Sequence, residues 1–312
     1  MTIEASIIIV NWKVRDLLRA CLQSVREQAG LRADQIEVIV VDNNSGDGSV
    51  EMVQAEFPEV RLIANPDNPG FGKANNQAMP FCTGRCVVLL NPDTVLLDGA
   101  IGTMLRRMDA HKEVAAMGCR LLNADLSLQR WTGGAFPRAL TLANHYLFLD
   151  LLLPRSMRPM PLYLDHDAQS DIEVDWVSGA FMILRTSMLQ GKLFDPHFFM
   201  YGEDMELCHR LKLAGHRIVY SPAASIIHYQ GASMKQQQGD VLLASLKGPR
   251  QFYKQMRGAQ AVWIFDVFTI TGFGLRWLLY KLAGAIRPNA GFQQRAASSL
   301  DLMGRAWRIR QS

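Results

Sequence analysis

From residue 5 onward, short runs of β-branched and aliphatic residues alternate with stretches in which apolar side chains recur every three or four positions. That is the pattern of a parallel sheet wrapped by helices. The runs at 6–10, 37–41, 60–64 and 86–90 are expected strands, and 14–28, the stretch after Asp47 and 72–79 are expected helices. The strand runs are apolar at nearly every position, so helices should cover both faces of the sheet. Residues 115–190 are less regular: 123–125 suggests a hairpin, prolines break an apolar stretch at 136–162, and 172–177 and 179–185 read as strands. An acceptor-binding insert is expected there. A helix is predicted to start at Glu203–Asp204 and stop at Gly215, followed by a strand at 217–220. Beyond 235 three helices are expected, at about 240–256, 260–284 and 291–308. The chain thus divides into an α/β domain at 1–234 and a helical region at 235–312.

Charge sharpens that division. Residues 1–234 carry 21 Lys/Arg against 26 Asp/Glu, whereas 235–312 carry 12 against 3. A basic, apolar-rich tail suits an anionic lipid surface. Its basic residues alternate with apolar runs instead of clustering around exposed aromatics, which argues against nucleic acid. The segment 261–286 is rich in Trp, Phe and Leu but is cut by Asp266, Arg276 and Lys281. Its longest uncharged interior run, 267–275, is short of the ~20 residues a spanning helix needs, so it is expected to lie on a membrane or pack on protein. Five cysteines without zinc-ligand spacing point to reduced, core-filling thiols, and the N-terminus shows no export signal, so a cytoplasmic location is expected.

Four segments end apolar runs in polar side chains. In VIVVDNNSGDGS (38–49) a strand ends in Asp42, where parallel sheets gather ligands, although Asp42, Asn43 and Asn44 also suit a plain turn. NPDNPGFGKANNQA (65–78) places Gly70 and Gly72 before a helix with Asn75 and Asn76, but lacks the third glycine of a dinucleotide fingerprint. VVLLNPDTVLL (87–97) ends a buried strand in Asn91-Pro92-Asp93; a carboxylate there is costly unless paired or bound to a cation, and a hard divalent ion suits it. In FDPHFFMYGEDMELCHRLKLAGH (194–216), Glu203 and Asp204 follow an aromatic approach whose desolvation would raise a carboxylate toward a useful general base. Acids at a helix start also simply cap it. His228 ends a further short apolar run, where a structural histidine is the plainer reading.

In this order the motifs resemble the family 2 glycosyltransferases, in particular their bacterial rhamnosyltransferase-like branch, over roughly residues 5–232. The resemblance rests on Asn11-Trp12-Lys13, Asp42 to Ser45, Asn68 to Asn76, Leu90 to Asp93, Trp176 to Ala180, Phe194 to Asp204 and His228 to Ser233. It implies a GT-A fold, a Rossmann-like mixed sheet flanked by helices with a C-terminal helical extension. It further implies a nucleotide diphosphate-sugar donor, Mg2+ or Mn2+, and inverting transfer to a hydroxyl of a saccharide or lipid-linked acceptor in cell-surface polysaccharide synthesis. By resemblance, Asp42 and Asn76 hold the nucleoside, with Asn44 in the same donor loop and Asn11 and Trp12 lining the base. Asp93 and His228 are the implied metal ligands, Asp204 the base, and Trp176 and Glu203 the walls of the sugar and acceptor subsites. Asn91 stands where the family usually has the first Asp of its metal motif; that departure recurs in the rhamnosyl branch and narrows the donor toward dTDP-rhamnose. The same departure motivates an alternative, a nucleotide-sugar-binding protein without turnover. A nucleotidyltransferase is disfavoured because no Gly- and Arg/Lys-rich phosphate loop lies near the N-terminus. A peripheral position at the inner face of the cytoplasmic membrane, and self-association, are compatible with the tail.

Overall fold

The computed structural model describes residues 2–154, 157–164, 168–189, 191–229 and 238–311. Gly231 and Ser233, the end of the last motif, lie outside the described residues. The chain opens with β1 (Ala5–Asn11), α1 (Arg15–Gln28), β2 (Ile36–Asp42), α2 (Ser49–Glu56), β3 (Arg61–Ala64), α3 (Phe71–Ala78) and β4 (Cys86–Leu90). Every residue of β1 and β4 is buried, which is what a strand covered on both faces demands of its sequence. In α1, Leu18, Cys21, Leu22 and Val25 are buried, the spacing of a single helical face laid on the sheet.

β5 (Thr94–Leu96), α4 (Ala100–Ala110), β6 (Val114–Leu122), β7 (Gly133–Gly134), α5 (Ala139–Leu147), β8 (Ile172–Val174), β9 (Trp176–Val177), β10 (Phe181–Arg185), α6 (Glu203–Leu213) and β11 (Arg217–His228) follow. The main sheet runs β3-β2-β1-β4-β10-β6-β11-β5, with β8 beside β11. Its first four strands are parallel, β10 is antiparallel to β4 and β6, and β5 is antiparallel to β11. β7 and β9 form a separate ribbon. The strand expected at 217–220 and the apolar run ending in His228 are one continuous β11, bent by a register shift between Ser221 and Ser225 where Pro222 sits. A proline cannot donate to the ladder and is tolerated at such a bulge. The bulge lets β11 reach the edge strand β5, so His228 pairs with Thr94, in the segment that follows β4 and carries Asn91 and Asp93.

The chain separates into two compact units, Met1–Gly134 with Tyr163–Val241, and Ala135–Leu162 with Leu242–Ser312. The sequence pattern groups all of 1–234 together; instead 135–162 joins the C-terminal helices α7 (Gln238–Arg257), α8 (Val262–Ile286) and α9 (Ala290–Gln311). The reason lies in α5. The Tyr146 ring occupies the place where a Cβ on Gly272 would stand, 2.5 Å away, and meets Phe273 edge-on. Arg276 donates to the carbonyls of His145 and Tyr146. Asp266 accepts two hydrogen bonds from Arg250, at 2.7 and 3.0 Å. Two of the three charges that cut the apolar run in the sequence, Asp266 and Arg276, are therefore held by partners inside this unit, whereas Lys281 is exposed, and Ala259–Ile286 is by length and composition long and apolar enough to cross a membrane.

Candidate active site

β1 and β2 end in register, Asn11 opposite Asp42. Asn11 Nδ2 donates to Asp42 Oδ2 at 2.7 Å and to Ser45 Oγ at 3.0 Å. Ser45 in turn donates to Asp42 through its amide (2.9 Å) and its hydroxyl (2.6 Å). The carboxylate is thus pinned at the carboxyl end of the sheet with lone pairs left over for a ligand hydroxyl. Asn11 Oδ1 is buried and, among the described residues, has no hydrogen-bond partner, which makes it an acceptor waiting for a donor. Trp12 is half-buried beside this pair with the Lys13 ammonium 5.0 Å over its ring, and Asn44 is exposed in a left-handed conformation at φ 57°.

Asn76 is placed differently. Its Nδ2 donates to the Phe194 carbonyl at 2.8 Å and its Oδ1 accepts from the Phe194 amide at 3.0 Å, so both ends of the side chain bind backbone 118 residues away. Around it the N-P-G-F-G segment and residues 194–199 interlock: the Phe71 amide donates to the Phe199 carbonyl, and the Phe71 and Phe194 rings lie 5.6 Å apart. Gly70 has φ +91°, and a Cβ there would fall 2.7 Å from the Phe199 ring and carbonyl. Only glycine meets both conditions. The motif read as a donor loop is also a clamp on the approach to α6.

α6 begins immediately after two left-handed residues, Tyr201 at φ 65° and Gly202 at φ 87°. An aromatic residue in that region is strained, a feature that clusters at functional sites. The turn aims Glu203 and Asp204. Asp204 Oδ1 accepts from the Met205 amide at 2.8 Å, and the Gly179 amide also donates to this carboxylate. Asp204 keeps partial solvent access, yet the protein packed round its carboxyl pushes it up to about 6. Burial, reinforced by the Asp204 charge, lifts Glu203 further, to about 8, and Glu203 Oε2 is buried and has no hydrogen-bond partner among the described residues. The Tyr201 phenol is raised to about 12 by burial and then by Glu203, Asp93 and Asp204 together. The charges of the strand tip and of the helix start therefore all act on one hydroxyl. A second route joins them: the Asn91 amide donates to the Ala180 carbonyl, one residue from Gly179.

At the strand tip Asp93 is buried, and its Oδ1 lies 3.3 Å from His228 Nε2. Asn91 Nδ2 is also 3.3 Å from that nitrogen, and the Tyr229 amide donates to the Asp93 carbonyl. One carboxylate and one imidazole fit a magnesium or manganese ion that completes its sphere with phosphate oxygens and water. Among the described residues no group of three or more His, Cys, Asp or Glu side chains could hold a metal unaided, so the ion's remaining ligands would come from the donor. Trp176 is buried, and its ring packs edge-on against Tyr163, which in turn meets the exposed Trp131. Asp93 and His228 thus meet beside the β5–β11 pairing, Glu203 and Asp204 open α6 and act together with Asp93 on the Tyr201 phenol, Asn11 and Asp42 end β1 and β2, Trp176 is buried against Tyr163, and Asn76 sits in the clamp. Sequence reasoning missed Tyr201, Gly179 and Gln129, whose Oε1 lies 2.7 Å from His228 Nδ1. A lone glutamine in an irregular stretch gives no periodic signal. Cys21, Cys86, Cys119 and Cys208 are buried in the core as expected, whereas Cys82 is only half-buried; burial pushes the Cys21 and Cys208 thiols up to about 12, far from reactive.

A sequence model of the family described as Glycosyl transferase family 2 matches residues 6–190. An N-acetylglucosaminyl-diphospho-decaprenol L-rhamnosyltransferase of Mycobacterium tuberculosis is 27% identical over 215 residues, 64% of this chain and 68% of the relative. Rhamnosyltransferase WbbL of Escherichia coli strain K12 is 26% identical over 231 residues, 72% and 82% of the two chains. Among solved structures, mannosyltransferase PcManGT from Pyrobaculum calidifontis, in complex with GDP-Man and Mn2+, matches with a TM-score of 0.60 at 15% identity, over 99% of this chain and 87% of its own. S. aureus TarS matches with a TM-score of 0.55 at 16% identity, over 97% and 49%. The mixed sheet flanked by helices, with helices at the C-terminus, is the GT-A arrangement expected from the motifs.

Proposed function

We propose, from the premise that this chain belongs to glycosyl transferase family 2 and is a glycosyltransferase with rhamnosyltransferase relatives, that it transfers rhamnose from dTDP-rhamnose, with inversion, to a hydroxyl of a lipid-linked saccharide. The observation that supports this reading best is the buried carboxylate–imidazole pair of Asp93 and His228, 3.3 Å apart, with Asp93 and the raised carboxylate Asp204 both acting on the Tyr201 phenol. Asp42, oriented by Asn11 and Ser45, takes a hydroxyl of the nucleoside, and Trp12 flanks the base. Asp93 and His228 would hold Mg2+ or Mn2+, which supplies charge compensation to the departing diphosphate. Asp204 accepts the proton of the acceptor hydroxyl as its oxygen bonds to the anomeric carbon. The bond from that carbon to the diphosphate oxygen breaks on the opposite face, which inverts the centre. Glu203, neutral at pH 7, leaves Asp204 as the charged partner.

The decaprenol in the name of the mycobacterial relative belongs to that protein; a lipid-linked acceptor here is supported by the helical unit. Along α8, Trp263, Val267, Leu278, Leu282 and Ile286 are exposed on one helical face, and Lys281, Arg287, Arg308 and Arg310 are exposed on α8, just after it and on α9. An amphipathic surface of this kind fits an anionic membrane, and we place the enzyme at the inner face of the cytoplasmic membrane.

The test is nucleoside diphosphate release from a panel of nucleotide sugars with Mg2+ or Mn2+ and a polyprenyl-linked saccharide, with Asp204→Asn as control. Acceptor-dependent release by the parent and its loss in Asp204→Asn support the reading. Equal release by both removes Asp204 as base, and donor binding without release under every condition makes the chain a binder.

A further inference from the structure

A chain of hydrogen bonds running inward from the turn after β6 determines which nitrogen of His228 carries its hydrogen. In that turn Ser127 donates to Asp125 Oδ1 through its hydroxyl (2.5 Å) and its amide (3.0 Å). With its hydrogen so used, Ser127 Oγ accepts from Asn123 Nδ2 at 2.9 Å. That fixes the Asn123 amide, and its Oδ1 accepts from Gln129 Nε2 at 3.2 Å. Gln129 Nε2 also donates to the His228 carbonyl at 3.2 Å. Two acceptors on one side hold the Gln129 nitrogen there, so its Oε1 is the atom 2.7 Å from His228 Nδ1. An amide oxygen only accepts; Nδ1 therefore carries the hydrogen.

Nε2, the second ring nitrogen, then faces the strand tip. It can accept from Asn91 Nδ2 at 3.3 Å, while Asp93 Oδ1, also at 3.3 Å, offers only lone pairs. A buried carboxylate and the second imidazole nitrogen facing one another are joined by a cation, either a proton on the ring or a divalent ion between them. The Gln129 side chain is itself buried, so water does not compete for its bonds to the His228 ring and carbonyl, whereas the turn that orients Asn123 is exposed.

We propose that Gln129 is a positioning residue: fixed by the Asp125–Ser127–Asn123 turn, it holds His228 in the Nδ1–H tautomer and so keeps Nε2 as a ligand for the divalent ion. This rests on the reading of Asp93 and His228 as the metal pair.

The experiment uses the full chain with Mn2+ and nucleoside diphosphate. Mn2+ affinity is followed by electron paramagnetic resonance, and the His228 tautomer by nitrogen NMR of histidine-labelled protein, its signal identified by loss in His228→Asn. The parent is expected to show the Nδ1–H pattern. Gln129→Leu should mix the tautomers and weaken Mn2+ roughly 10- to 100-fold, the usual effect of losing an outer partner of a metal-bound histidine. Gln129→Glu should keep the Nδ1–H pattern and near-parental affinity, because a carboxylate still accepts from Nδ1. A merely structural role would predict the reverse, since the second carboxylate oxygen opposes the Asn123 and His228 oxygens. An Nε2–H pattern in the parent overturns the proposal, as does Gln129→Leu with parental pattern and Mn2+ affinity within twofold. If the parent binds no Mn2+ beyond Asp93→Asn, the metal reading itself falls and this proposal with it.

Discussion

Two adjacent carboxyls at the start of α6 titrate apart because their surroundings differ. Burial raises both, but the Gly179 and Met205 amides favour the charged form of Asp204, whereas Glu203 bears the Asp204 charge and an unpartnered oxygen. A base must be unprotonated, so kcat/KM should rise with pH through about 6 and level off above it. The Asp204→Asn variant should lose roughly 100- to 10,000-fold in kcat together with that limb, as steady-state pH profiles will show. Glu203→Gln should keep the limb, since burial rather than Glu203 lifts Asp204. Its stability gives the second check. Glu203 is raised in the folded protein from 4.5 to about 8, so its contribution to stability is complete below 4.5 and is lost as pH climbs through 8. Gln does not titrate. Thermal melts should therefore show the Glu203→Gln variant gaining on the parent between those limits, by at least about 1 kcal/mol at pH 9, and no relative gain at pH 4.

At the scale of elements, the site depends on loops that cross-brace strands and helices distant in sequence. The strands β1 to β4 are readable from their apolar runs, whereas β5, β6 and β7 are not, and the positions of Asp42 and His228 at strand ends and of Asp93 just beyond one are readable too, because a polar side chain ending a buried run is conspicuous in one dimension. Asn76 is not. Its partner is the Phe194 backbone, and no local pattern distinguishes an amide that binds a ligand from one that ties down a loop. Gln129 and the left-handed Tyr201 are illegible for the same reason: both are defined by neighbours that only the folded chain supplies. The clamp makes a measurable distinction. Asn76→Ala leaves a buried amide and carbonyl at Phe194 unpaired, a loss of about 1–3 kcal/mol. It should lower the denaturation midpoint without raising KM for the nucleotide sugar selectively; a large KM effect at unchanged stability would return Asn76 to the nucleoside. Gly70→Ala combines a left-handed backbone with a 2.7 Å clash and should destabilise by at least about 1–3 kcal/mol, with kcat falling as the approach to α6 shifts.

For the whole molecule, the uneven charge along the chain acquires a structural meaning once the two units are separated. The unit built of 1–134 and 163–241 carries the strand-end chemistry, while the helical unit carries most of the tail's basic excess. Charge pattern locates the basic region but not its outer boundary, because α5 reads as part of an irregular insert until Tyr146 is seen against Gly272. Within the helical unit, α8 turns its paired charges, Asp266 and Arg276, toward protein and leaves Trp263, Leu278, Leu282 and Ile286 exposed. Burying such side chains in a lipid interface gains roughly 1.5–3 kcal/mol each when complete, and each nearby Lys or Arg adds about 1 kcal/mol on anionic lipid. Both contributions should be visible in flotation with vesicles. Anionic vesicles should carry the parent chain upward, and neutral ones should do so less. Raising ionic strength should narrow the difference without abolishing attachment, because the apolar part is not screened. Leu278→Glu with Leu282→Glu should release the protein from anionic vesicles while leaving turnover of a short water-soluble acceptor unchanged, since neither residue belongs to the strand-end site. Retention of vesicle binding in that double variant would reassign the α8 face to contacts between proteins.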